Sequence, residues 1–274
     1  MRKILWVFVS VMLLLSLTAC DMVPLGIERR DWSQGISYAK PTEPTQTEPV
    51  TTEPIITEPV TTEPVKPEHS KFYIPGLEAD QVIEYFNEVC LDSEFSSGSG
   101  DPSLVQKWKT EIRYEIFGEY TQQDIQVLNT FIAWLNTVEG FPGMRQVGPN
   151  EASNMRLNFV DQQGIIATDA PDADGVVNFD YGTDDNAIFN AVVYYRKDID
   201  QLTRNSVLQE EIYNGLGLSQ DTDLRQDSLI YTGFTTPQEL TQVDKLLVEL
   251  LYHPDMKCGM NADECAAVIR QLYY

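Results

Sequence analysis

Histidine is almost missing from this chain. The 274 residues contain two, His69 and His253, so a three-imidazole metal site cannot be assembled from them. Basic residues are scarce as well: 19 Lys and Arg stand against 42 Asp and Glu, giving a formal charge of −23. A surface of that sign repels nucleic acid and anionic lipid headgroups and argues against both as ligands. The four cysteines include no Cys-x-x-Cys pair, which removes sulfur-bound zinc and haem from consideration. Long apolar runs are missing too, since the stretch from Ile4 to Leu17 is too short for a comfortable membrane span.

What the N-terminus does carry is a secretory pattern. Arg2 and Lys3 precede the apolar stretch, and Leu17-Thr18-Ala19-Cys20 follows it. The tetrapeptide resembles the bacterial lipobox, which implies cleavage before Cys20 and a lipid on its sulfur. Residues 1–19 are then a lipoprotein signal peptide. Their loss removes two basic residues and no acid, leaving 17 basic against 42 acidic residues, a charge of −25. The expected location is extracytoplasmic, with the protein anchored to the bacterial membrane through Cys20 and stably held if a second chain is added.

Residues 20–40 form a juxtamembrane segment without clear period. In the linker over 41–69, Thr-Glu-Pro recurs at Thr42, Thr47, Thr52, Thr57 and Thr62. Proline favours polyproline II and glutamates repel one another, so this tract cannot form a core. At about 3.1 Å per residue, residues 41–68 reach roughly 85–90 Å, a stalk between membrane and domain. Residues 70–274 are then one globular domain of ordinary size.

Within that domain, helical spacing marks Ala79 to Cys90. Residues 96–102 read as a loop, and Thr110 to Phe117 alternates as a strand. Thr121 with Asp124 forms a capping box before a helix that closes near Gly140, and a second strand covers Met155 to Phe159. Asp169 to Gly175 is an acidic turn. It matches an EF-hand loop only in part, with Ala170 and Tyr181 where ligands belong. Val177 to Tyr181 and Ala187 to Arg196 make two more strands. A last helix starts at Thr241 with Asp244 as box partner and stops at His253-Pro254. Cys258 and Cys265, close in sequence and in a secreted chain, are disulfide candidates. Cys90 falls on an apolar stripe and reads as a buried thiol.

The stretch between the last strand and the last helix bears on function. Glu210-Glu211-Ile-Tyr-Asn214-Gly-Leu-Gly217-Leu-Ser-Gln220, with Ser228-Leu-Ile230-Tyr231 downstream, resembles the active-site helix, glycine turn and second turn of a metzincin-type zinc protease. That family reads His-Glu-x-x-His-x-x-Gly-x-x-His, then a turn carrying Met. The resemblance puts the general base on Glu211, the glycine on Gly217, the turn methionine on Ile230 and the zinc ligands on Glu210, Asn214 and Gln220. Amide oxygens replace imidazole poorly, and without a metal-polarised water Glu211 lacks its nucleophile. The run from Glu210 to Tyr252, continuing through Pro254 to Gly259-Met260, also looks like a bacterial domain family of unknown function, often described as lipoproteins, in which paired Glu replaces His-Glu.

The resemblance implies an α+β, zincin-like fold: a twisted mixed sheet of about four strands, two main helices and an extra N-terminal helix. On the site helix, Leu208, Ile212 and Leu216 share a stripe that should face the core. Glu210, Glu211 and Asn214 lie beside it, either as a solvated helix face or as the lining of a pocket in which like charge raises one acid's pKa. The expected function is a catalytically inactive protease-like domain binding a peptide, glycan or envelope protein in its cleft, at Glu210, Glu211, Asn214, Gln220, Ile230 and Tyr231, with no metal and no cofactor. Two alternatives stand beside it: a non-zinc cell-envelope hydrolase using Glu210 and Glu211, and a purely structural envelope component.

Overall fold

Period-two alternation in the strands and capped apolar stripes in the helices build an α+β domain on a mostly parallel sheet. A computed structural model describes residues 70–91, 104–168, 170–233 and 238–274. Cys20, the Thr-Glu-Pro tract, His69 and the loop at 96–102 lie outside the described residues. The elements run α1 (Ala79–Leu91), β1 (Lys107–Trp108), β2 (Ile112–Gly118), α2 (Gln122–Leu135), β3 (Met144–Gln146) and β4 (Met155–Val160). They continue with α3 (Gln162–Ile166), β5 (Gly175–Tyr181), β6 (Ala187–Arg196), α4 (Gln201–Gly215), α5 (Gln242–Tyr252) and α6 (Ala262–Tyr273). No described helix is long and apolar enough to cross a membrane.

The sheet order is β1-β6-β4-β2-β3, with β5 also paired to β6. All pairings are parallel except β5 with β6, which is antiparallel. Ile112, Tyr114, Met155, Leu157, Phe159, Val193 and Tyr195 alternate into the core. Six strands replace the four expected. The two missed, β1 and β3, have two and three residues, too few for alternation to show. Helix α6 was missed for a different reason: its buried face is Cys265, Ala266, Ile269 and Tyr273, two of them small, although Asn261 and Glu264 form a full capping box. The boxes expected at Thr121/Asp124 and Thr241/Asp244 are both present.

Helix α4 packs against α2, β5 and β6. It is capped by Asp200, whose carboxylate accepts from the amides of Leu202 (3.0 Å) and Thr203 (3.1 Å). Leu208, Ile212 and Leu216 are fully buried, as their stripe predicts. Its C-terminal end is held by Trp108 Nε1 donating to Gly215 O (2.9 Å) and Tyr252 Oη to Leu216 O (2.9 Å). Gly217 then turns the chain at φ +106°, and a Cβ there would sit 2.0 Å from the carbonyl of Gln106. Only glycine combines that left-handed backbone with so close a neighbour.

The disulfide expected between Cys258 and Cys265 is not formed; both are free thiols, as is Cys90. Cys258 lies 3.7 Å from the carbonyl of Lys107, to which its thiol donates, while Cys265 lies on the buried face of α6. His253 closes α5, stacks edge-on against Phe72 at 5.6 Å and accepts from the amide of Asp255. It is a structural residue.

Candidate functional site

Helix α4 is buried although it is not apolar. Thr203, Asn205, Ser206, Gln209 and Glu211 are all buried in it, and polar groups in such places normally have hydrogen-bond partners. Most of these do. Gln209 Nε2 donates to Asn205 O (3.0 Å) and Gln238 O (2.9 Å), Asn205 Nδ2 donates to Gln238 Oε1 (2.9 Å), and Thr203 Oγ1 donates to Asp200 (2.7 Å). Arg204 pairs with buried Asp124 on α2 and donates to Lys197 O (2.9 Å). These bonds fix the helix in place.

Glu211 and Asn214 break the pattern. Glu211 is 7 % exposed, and no described residue donates to its carboxylate. Asn214 Oδ1 is buried without a partner. Both, with the partly exposed Glu210, line one cavity of about 450 Å³. Its wall from β5 is the backbone of Gly175, where a Cβ would lie 2.5 Å from Glu211 Oε1 and 2.6 Å from Val207 Cγ1. Glycine at 175 is what leaves room for the Glu211 carboxyl. Leu229 and Tyr231 of the downstream turn also line the cavity.

The cavity is acidic throughout. Five of its lining residues are Asp or Glu (Asp172, Asp174, Glu210, Glu211 and Asp221), and none is Lys, Arg or His. Burial, then the charges of Asp221 and Asp174, pushes Glu210 up to about 8. Burial, then Glu210 and Asp221, pushes Glu211 well above the carboxylate range. Desolvation thus outweighs the like-charge repulsion expected from sequence as the main cause. Asp174 is partly neutralised by Arg196 at 3.1 Å.

Of the residues anticipated from sequence, Glu210, Glu211, Asn214 and Tyr231 come together here. Gln220 and Ile230 do not line the cavity. Gln220 is buried next to α1, its backbone N–H donating to Val89 O (3.2 Å). Ile230 is fully buried in the core. Asp172, Asp174 and Asp221 were missed because they sit in loops whose acidity reads as solvation. Of the two arrangements open for Glu210, Glu211 and Asn214, the pocket lining is the one found, since one cavity receives all three. The donor set does not fit zinc: of the three ligand positions two, Asn214 and Gln220, are amides and Gln220 is also outside the cavity, and no group of three His, Cys, Asp or Glu among the described residues is placed to hold a metal ion.

No curated protein matched the sequence. A family model described as a protein of unknown function, DUF2927, matches residues 79–271, which span α1 to α6 and the whole cavity. The chain belongs to the DUF2927 family.

Proposed function

We propose that this chain is a membrane-anchored extracytoplasmic lipoprotein whose domain is a zincin-like pseudoenzyme, binding a peptide, glycan or envelope protein in the α4 cavity. The observation that carries the reading is the pair Glu211 and Asn214. Glu211 is buried and Asn214, itself half-buried, has a buried Oδ1, and both acceptors are unpartnered in a helix whose other buried polar side chains are largely satisfied, so the cavity suits a ligand that donates hydrogen bonds. Support for the zincin likeness comes from the succession of parts: α4, the left-handed Gly217, and a Ser228–Tyr231 turn that returns to the cavity through Leu229 and Tyr231.

Full-length protein equilibrated with zinc and dialysed is expected to retain far less than one metal per chain and to leave unstructured peptides intact. Stoichiometric zinc together with peptide cleavage abolished by Glu211→Gln would falsify the pseudoenzyme. Anchoring has its own check. Cys20→Ser is expected to move the protein from the membrane fraction to the soluble one, and retention in the membrane fraction would remove the lipoprotein part. A second reading has one observation in its favour: Glu210, with its pKa near 8, is a protonated acid at neutral pH beside another carboxyl. Turnover of muropeptides lost in Glu210→Gln would select that hydrolase reading instead.

A further inference from the structure

We propose that the group received at the base of the α4 cavity is a primary ammonium, carried on a lysine side chain, an amino sugar or a small diamine. The inference rests on the cleft-binding reading above and specifies its ligand. Three acceptor groups converge on the cavity with no donor from the described residues: the carboxyls of Glu210 and Glu211 and the orphan Oδ1 of Asn214. A primary ammonium has three N–H donors and no acceptor, so it can satisfy all three groups and leave nothing of its own unpaired. A neutral hydroxyl has one donor and brings lone pairs into a site already full of acceptors.

Charge points the same way. No basic side chain lines the cavity, and no described cation pairs with Glu210 or Glu211, so negative charge that those two develop has no counterion there; Arg196 is engaged with Asp174. A buried carboxylate without a counter-charge is strongly unfavourable, and a bound organic cation relieves it directly. A bare metal ion is a poorer match, because no described group of three His, Cys, Asp or Glu is arranged to coordinate one. The walls suit a ligand with an aliphatic stem. Val207 and Leu229 flank the acids, and methylene groups pack on such surface while the charged head reaches the polar end. Guanidinium fixes its five donors in one plane and suits side-by-side pairing with a single carboxylate, whereas the rotatable donors of an ammonium suit acceptors arriving from three separate side chains.

The test is a titration of the full-length protein, followed by calorimetry and by NMR shifts of the Asn214 side-chain amide. The probes are Ac-Gly-Lys-Gly-NH2, its Nε-acetylated form, Ac-Gly-Arg-Gly-NH2, glucosamine and 1,5-diaminopentane. At least one primary amine is expected to bind and shift Asn214, its N-acetylated or N-methyl-blocked form to bind at least tenfold more weakly, and Glu211→Gln to weaken the amine by a similar factor. Which amine binds tightest identifies the source. Equal binding of the free and acetylated peptides, or tighter binding of the arginine peptide, overturns the ammonium assignment. If a neutral peptide or glycan binds and the cavity-filling Asn214→Trp abolishes it, the cleft reading stands while the ammonium falls. If no probe, muropeptide or neutral peptide binds with sensitivity to Asn214→Trp, both fall. Glu211→Gln keeps the shape of the side chain, so its folding is not at risk in the way the tryptophan variant's is.

Discussion

Replacing Asp244 by alanine is expected to lower the unfolding midpoint of the domain by about 10 °C, the equivalent of about 3–5 kcal/mol in a protein of this size. Asp244 is completely buried, and its carboxylate is the hub that joins three parts of the fold. Oδ1 accepts from Ser228 Oγ at 2.7 Å and from Tyr85 Oη at 3.1 Å. Oδ2 accepts from the amides of Thr241 at 2.9 Å and Leu229 at 3.2 Å, the former completing the capping box of α5. Ser228 extends the network, accepting from Tyr85 Oη at 2.8 Å and from the amide of Ile230 at 3.1 Å.

Alanine removes the acceptor of the Thr241 and Leu229 amides, each at a cost of about 1–3 kcal/mol before relaxation, while Tyr85 Oη keeps Ser228 Oγ as its acceptor. Asparagine keeps the shape and retains one oxygen, so it is expected to lose more than half as much. The same change should reach the cavity, because the turn that Asp244 holds supplies Leu229 and Tyr231 to its wall. Thermal melts of the two variants followed by circular dichroism check the ranking. If both fall within about 1 kcal/mol of wild type, the hub does not hold the turn.

Glu210→Gln is expected to act in the opposite direction and only at higher pH. Near pH 4 the variant and wild type should melt together. At pH 9 the variant should be more stable by about 2–4 kcal/mol, a rise of roughly 5–15 °C in midpoint. The sign follows from the raised pKa. Between the ordinary value of 4.5 and the folded value of about 8, the folded chain keeps a proton that the unfolded chain has released. Stability therefore falls as pH rises through that window, and it stays reduced above the folded pKa once both states are ionised. Glutamine has nothing to ionise and escapes the loss. The partial exposure of Glu210 is why the figure is set below the full conversion of the shift. Denaturant titrations at pH 4, 7 and 9 give the comparison; a difference that does not grow with pH would show that the carboxyl is solvated in the folded protein. A residue that costs the fold stability and is nevertheless placed on its central buried helix fits a site kept for binding.

Much of this architecture was legible without coordinates. The capping boxes at Thr121/Asp124 and Thr241/Asp244, the apolar stripe of α4 and the alternation in β2, β4, β5 and β6 are local patterns, and local patterns are what periodicity reads. Strands β1 and β3 were not legible, because a two- or three-residue strand is defined by its neighbour's hydrogen bonds rather than by its own composition. Helix α6 hid behind small residues on its buried face. Free Cys258 and Cys265 show the converse error: nearness in sequence is not the geometry that a disulfide requires.

By itself the sequence decided which donors this protein can offer. Two histidines, an amide at 214 and a carboxyl at 210 limit the chemistry of α4 wherever that helix lies. Only the tertiary structure decided what those donors experience. Burial of Glu211 beside Gly175, the approach of Asp174 from the turn before β5 and of Asp221 from the loop after α4, and the lack of a partner for Asn214 Oδ1 are set by how the rest of the chain packs around the helix. A side chain's identity is encoded at its own position. Its dielectric surroundings and hydrogen-bond partners come from whatever else packs against it, and those surroundings turned an acidic helix face into a cavity.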